Sequence, residues 1–202
     1  MTTAQNRVAL ITGAGTGIGK AAAKALLQGG YQVVLAGRNL DKLEKAITDI
    51  GGNSENCLAV GCDVGKPEDV KHLFESLKVK FGRIDVLFNN AGIGAPAIPM
   101  EDLSYEQWTS VVNANLTGAF LCSQAAIRMM KDQTPQGGRI IKNEDPIQWQ
   151  LDLINGKDTI KAIDNEVCVS ILMALPDFPY SKITNKENKV IRSVNRLKAC
   201  LI

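Results

Sequence analysis

Val8-Ala9-Leu10-Ile11-Thr12-Gly13-Ala14-Gly15-Thr16-Gly17-Ile18-Gly19 decides how this 202-residue chain is read. Val8–Ile11 is a short apolar run bounded by a glycine-rich turn, the signature of a buried strand. From Ile18 to Gln28, alanines and leucines recur at helical spacing until Gly29-Gly30 stops them. A glycine turn between a strand and a helix is the placement a bound dinucleotide needs. Glycine permits the tight turn and lets backbone approach a pyrophosphate, while the helix N-terminus offers unpaired N–H groups and a positive dipole end. A glycine turn alone says little; its place between strand and helix gives it weight.

Outward from that turn the same rhythm continues. Gln32–Ala36 reads as a second strand, and Leu40–Ile50 as a helix with Leu43, Ile47 and Ile50 on one stripe. Cys57–Gly61 is a third strand. Pro67 opens a helix whose apolar face is Val70, Leu73, Phe74 and Leu77. Ile84–Phe88 is a fourth strand, Tyr105–Met130 one long helix, and Arg139–Ile141 the opening of a fifth strand. Alternation of this kind predicts an α/β fold, a Rossmann-like doubly wound parallel sheet with right-handed crossovers.

The character changes after Ile141. Residues 1–141 hold 17 of the 18 glycines, and residues 142–202 hold only Gly156. Ile147–Leu153 alternates apolar and polar residues, Asn155-Gly156 is a hairpin-type turn, and Lys186–Lys198 reads as a polar, frayed helix. Two regions are therefore expected: a nucleotide-binding domain over 1–141 and a divergent tail over 142–202. The sheet is expected to be incomplete at its C-terminal edge.

Composition narrows the function classes. A net charge of +2 with 22% charged residues points away from nucleic acid and from a charged membrane surface. Cys57, Cys62, Cys122, Cys168 and Cys200 form no Cys-x-x-Cys pair, and with the single His72 they make no metal site. Reduced, mostly buried thiols are expected. Val167–Leu175 is too short to cross a bilayer, and Thr2–Arg7 cannot hold a signal peptide, so the expected location is cytoplasmic.

The spacing Thr12-Gly-x-x-x-Gly17-x-Gly19 resembles the short-chain dehydrogenase/reductase family, and three further matches follow in order. Cys62-Asp63-Val64 ends the third strand. Asn89-Asn90-Ala91-Gly92 ends the fourth. Asn113-Ala114-Asn115-Leu116-Thr117-Gly118 lies in the long helix. Taken singly, Asp63 could be a helix N-cap, Asn-Asn-Ala-Gly an ordinary turn and Asn115 a solvent-facing amide. The resemblance covers residues 7–141. It implies a cofactor held by Gly13, Thr16, Gly17, Ile18, Gly19, Asp63 and Val64 (at the adenine), Asn90, Ala91 and Gly92. It also implies hydride transfer between that cofactor and a small carbonyl or secondary alcohol.

The end of the second strand selects the cofactor. An NAD site usually places an acid there for the ribose hydroxyls. This chain has Gly37-Arg38, and a guanidinium suits a 2′-phosphate. NADP is expected over NAD.

The family's catalytic set is another matter. The resemblance implies a tyrosine as proton donor, a lysine four residues later, a serine that polarises the substrate oxygen, and an asparagine supporting a water relay. Asn115 stands at the matching place, as an auxiliary member. Four residues after Tyr31, Tyr105 and Tyr180 stand Leu35, Thr109 and Thr184, so no Tyr-x-x-x-Lys exists, and no serine occurs between Ser123 and Ser170. Three readings follow: an active reductase with a rearranged catalytic end, a truncated copy whose last third is replaced by unrelated sequence, and a non-catalytic NADP(H)-binding or interaction protein. A homo-oligomer formed through helix 105–130 is also expected.

Overall fold

A computed structural model describes residues 7–142. The readings made above for 142–202, namely the Ile147–Leu153 alternation, the Asn155-Gly156 turn, the 186–198 helix and Tyr180, lie outside the described residues apart from Lys142 itself.

Five parallel strands form one sheet in the order β3-β2-β1-β4-β5, with β1 Val8–Thr12, β2 Gln32–Gly37, β3 Cys57–Gly61, β4 Val86–Asn89 and β5 Arg139–Lys142. All five residues of β1 are buried. A central parallel strand is covered on both faces, which is why Val8–Ile11 is a continuous apolar run rather than an alternating one. Alternation survives in where the side chains go. Val8 and Leu10 join Val34, Ala36 and Leu87 in one core with Leu73 and Leu77 of α3 (Pro67–Phe81) and with Cys122 and Ala126 of α5 (Gly118–Asp132). The opposite face is covered by α1 (Gly17–Gln28) and α2 (Leu40–Asp49), which bury Ala22, Ala23, Leu26, Leu43 and Ala46. Among the described residues β5 pairs with β4 alone.

Two elements differ from their sequence reading. The fourth strand begins at Val86, not Ile84. The Ile84 N–H donates to Gln133 Oε1 at 2.8 Å and its carbonyl accepts from Gln133 Nε2 at 2.9 Å, so a side chain takes the groups a strand would use.

The long helix is also not regular. It runs as α4 (Tyr105–Val112), a five-residue π-helical turn Asn113–Thr117, and then α5. Gly118 N–H reaches back five residues to the Asn113 carbonyl. The turn lies where packing is close: a Cβ on Gly118 would stand 2.5 Å from Val64 Cγ2, and one on Gly65 would stand 3.2 Å from the Asn113 carbonyl. The extra residue in that turn carries α5 onto the segment after β3, and such turns gather at functional sites.

Candidate functional site

The C-terminal ends of β1 and β4 meet at Thr12. Thr12 is buried, 1% exposed; its hydroxyl accepts from Asn90 N–H at 3.0 Å and Ala91 N–H at 2.9 Å, and lies 3.4 Å from the Phe88 carbonyl. Asn90 returns the contact: its Nδ2 donates to the carbonyls of Thr12 at 2.9 Å and Gly13 at 3.3 Å. The two segments picked out as Thr-Gly and Asn-Asn-Ala-Gly are thus one hydrogen-bonded unit. Asn90 acts on the glycine turn itself rather than facing outward. Thr12 was not among the expected site residues; its only signal was its place before Gly13.

The glycines have separate reasons. Gly13 has φ +66°, and a Cβ there would press on the Ala91 Cα at 3.0 Å. A Cβ on Gly19 would stand 2.5 Å from the Gly13 carbonyl oxygen and 2.6 Å from Asn90 Nδ2, so only glycine lets α1 begin this close to the turn. Thr16 is the N-cap of α1 but makes no side-chain cap, and no acid occupies the first turn. The first N–H groups of a helix have no partner within it. This end of α1, with Thr16 and Gly17 exposed and Ile18 half-exposed, therefore presents uncapped donors and a positive dipole end suited to an anion.

β2 ends beside this turn, since Ala14 N–H donates to the Ala36 carbonyl at 3.2 Å. Arg38 follows directly, exposed, and forms no hydrogen bond or ion pair among the described residues. Past the end of β3, Asp63 Oδ1 accepts from Gly65 N–H at 3.1 Å, while its own N–H donates to Asp69 Oδ2 at 2.9 Å. The N-cap of α3 is Lys66, so the N-cap reading of Asp63 does not hold. The Val64 side chain is buried against Gly118 and leaves only its backbone free to meet a ligand.

Asn115 does not face solvent. Its Oδ1 accepts from Ile93 N–H at 2.9 Å and its Nδ2 donates to the Ile93 carbonyl at 3.0 Å, a two-point clamp on the loop after Gly92. Gly92 lies against that amide: a Cβ there would meet Asn115 Oδ1 at 3.2 Å. One layer back, Asn89 donates to Ser123 Oγ at 3.0 Å, joining β4 to α5.

No substitute for the catalytic set comes together among the described residues. Tyr31 is buried just before β2, at the end of the sheet remote from Arg38, and Tyr105 is exposed at the start of α4. Cys57, Cys62 and Cys122 are free and buried. Burial, with the Asp69 and Asp63 charges, pushes the Cys62 thiol up to about 12, and burial likewise pushes Cys122 up to about 12. Neither is a thiolate nucleophile near neutral pH. His72 is exposed on α3, and no cluster of metal-ligating side chains occurs among the described residues. No helix there is long and apolar enough to cross a membrane.

Comparison with known proteins gives the class. The short chain dehydrogenase family model matches residues 7–143. A short-chain dehydrogenase/reductase of Macrophomina phaseolina is 36% identical over 136 residues, 67% of this chain and 78% of the relative. A 3-oxoacyl-[acyl-carrier-protein] reductase of Synechocystis is 39% identical over 142 residues, 70% of this chain and 56% of the relative. A solved 3-ketoacyl-(acyl-carrier-protein) reductase from Brucella melitensis, complexed with NADH, superposes with a TM-score of 0.67 at 29% identity over 84% of this chain and 67% of its own. A short-chain dehydrogenase/reductase from Mycobacterium marinum gives 0.64 at 39% identity, over 68% of this chain and 54% of its own.

The chain belongs to the short chain dehydrogenase family, whose members bind NAD(P) and act on small molecules. It spans about half the length of several relatives it matches.

Proposed function

We propose that this chain binds NADP(H) in preference to NAD(H), and that in its 202-residue form it does not transfer hydride at a useful rate. The carrying observation is Arg38, an exposed guanidinium with no partner among the described residues, at the strand end that borders the uncapped start of α1. A 2′-phosphate brings roughly −1.5 to −2 charges at neutral pH and takes a guanidinium fork well.

In this reading Gly13, Thr16, Gly17, Ile18 and Gly19 cradle the pyrophosphate with backbone donors. Asp63 and the Val64 backbone border the adenine. Asn90, Ala91 and Gly92 form the floor beneath the nicotinamide, held flat by Thr12 on one side and by the Asn115 clamp on Ile93 on the other. The nicotinamide, when bound, supplies or accepts the hydride. Among the described residues no proton donor is in place: neither Tyr31 nor Tyr105 is positioned for it, and no tyrosine of the sequence has a lysine four residues on.

This is the expected behaviour of a family copy whose last third is replaced by unrelated sequence; if the chain is active, its substrate is a small carbonyl or alcohol. The second reading, a non-catalytic NADP(H)-binding or interaction protein, is favoured by one surface feature. Tyr105, Trp108, Leu116, Phe120 and Ile127 expose large apolar side chains along the helical course 105–130, the face expected to join a second copy. Free cysteines fit a cytoplasmic setting.

Fluorescence titration of the full chain with NADPH and NADH tests the cofactor reading. NADPH should bind at least about tenfold more tightly, and Arg38→Asp should remove or reverse the difference. Equal affinities in the unmodified protein would sink it.

A further inference from the structure

Lys42, the third residue of α2, sits against the glycine turn. A Cβ built on Gly15 would meet Lys42 Cβ at 3.4 Å and Leu43 Cδ2 at 3.6 Å, ordinary contact distances. Its root is fixed, because Asn39 Oδ1 accepts from Lys42 N–H at 2.9 Å. Its side chain is exposed, and its ammonium has no hydrogen bond or ion pair among the described residues. Lys20, in the first turn of α1, makes the contrast: its ammonium is engaged by Asp49 at 2.8 Å. The adjacent Asp41 is a sequence neighbour on a helix and so points away from the face that carries Lys42. Two unengaged cations, Arg38 and Lys42, thus flank the side of the glycine turn where β2 ends.

We propose that Lys42 is a second specificity-determining residue, sharing the cofactor's 2′-phosphate with Arg38. The inference rests on the NADP reading of this site. One guanidinium neutralises only part of a phosphate dianion, and a lysine is a compact point charge on a flexible stem that can reach from a fixed root. Because the group is exposed, its effect is modest and screened by salt.

The test compares the unmodified full chain, Lys42→Met and Arg38→Met by titration with NADPH and NADH, and by displacement with 2′-AMP, which carries the 2′-phosphate without a pyrophosphate. Lys42→Met should weaken NADPH and 2′-AMP about 3- to 10-fold and change NADH less than about twofold. The loss should shrink as salt rises from roughly 0.05 to 0.5 M. Unchanged NADPH affinity in Lys42→Met, with a clear loss in Arg38→Met, overturns the Lys42 assignment and leaves the cofactor reading standing. Equal weakening of NADH and NADPH overturns it too, since the contact is then not to the 2′-phosphate. No NADPH preference in the unmodified protein overturns both.

Discussion

The two ends of the parallel sheet are built differently. At the N-terminal end charged and amide side chains are spent on backbone and on one another. Asp85 accepts from Val8 N–H at 2.8 Å and from both Arg83 Nε and NH2, while Arg83 NH1 reaches the Thr134 carbonyl. Gln133, 8% exposed, spends its whole amide on Ile84 and Gly137. At the C-terminal end Thr12, Asn90 and Asn115 likewise spend their polar atoms on backbone, yet the start of α1 and the heads of Arg38 and Lys42 have no partner among the described residues. At the first end these polar groups satisfy one another. The second is stiffened around open donors, at the carboxyl ends of the strands where ligands of open α/β sheets bind. Substitutions at the two ends should therefore separate stability from binding.

The largest effect should come from Gly19→Val. Its side chain would collide with the Gly13 carbonyl and Asn90, so NADPH affinity should fall at least about 100-fold, or 2.7 kcal/mol or more, while circular dichroism stays folded. Affinity within threefold of the parent would place the ligand elsewhere. Gln133→Leu attacks the other end. It strands the buried Ile84 N–H and carbonyl, and urea unfolding should show a loss of about 2–3 kcal/mol with NADPH affinity unchanged. A matching loss of affinity would mean the two ends are coupled.

Thr12→Val should sharpen the comparison, since it removes the acceptor shared by Asn90 and Ala91. A loss of about 1–2 kcal/mol in stability should come with a severalfold loss in binding, because this hydroxyl holds the Asn90-Ala91 backbone against the glycine turn. The smallest effect concerns the thiols of the core beneath both ends. The folded values of Cys62 and Cys122 are raised from 9.0 to about 12, so the folded state holds protons that the unfolded state releases above pH 9. Their contribution is complete below pH 9 and declines as pH rises toward 12. Unfolding midpoints at pH 8 and 10.5 should converge less in the parent than in Cys122→Ala, whose alkaline loss should be shallower. Identical pH slopes would refute the role of Cys122.

Much of this contrast was legible in the residues. The strand–turn–helix periodicity placed all five strands and α1 to α3, because buried parallel strands and one-faced helices leave plain patterns. Arg38 stands out in the sequence because an acid is absent where one is usual, and the structure leaves it exposed at the end of β2. What stayed hidden was set by side chains acting on distant backbone. Ile84 reads as strand until Gln133, 49 residues on, takes its hydrogen bonds. The π-helical turn has no local signature; it goes with a tertiary contact, that of Gly118 with Val64. Asn90 and Asn115 were visible as residues that matter, but not as clamps on Gly13 and Ile93, because an asparagine's partners are chosen by the tertiary fold.

Binding without turnover is tested most directly by NADPH consumption. Protein saturated with NADPH, as verified by titration, is offered a panel of aldehydes, ketones and quinones. Loss of a general acid alone typically costs 10²–10⁴-fold, so the account predicts bound cofactor and turnover below about 0.01 s⁻¹ on every substrate. Steady consumption near about 1 s⁻¹ would contradict it, and its disappearance in Tyr180→Phe would then identify the proton donor.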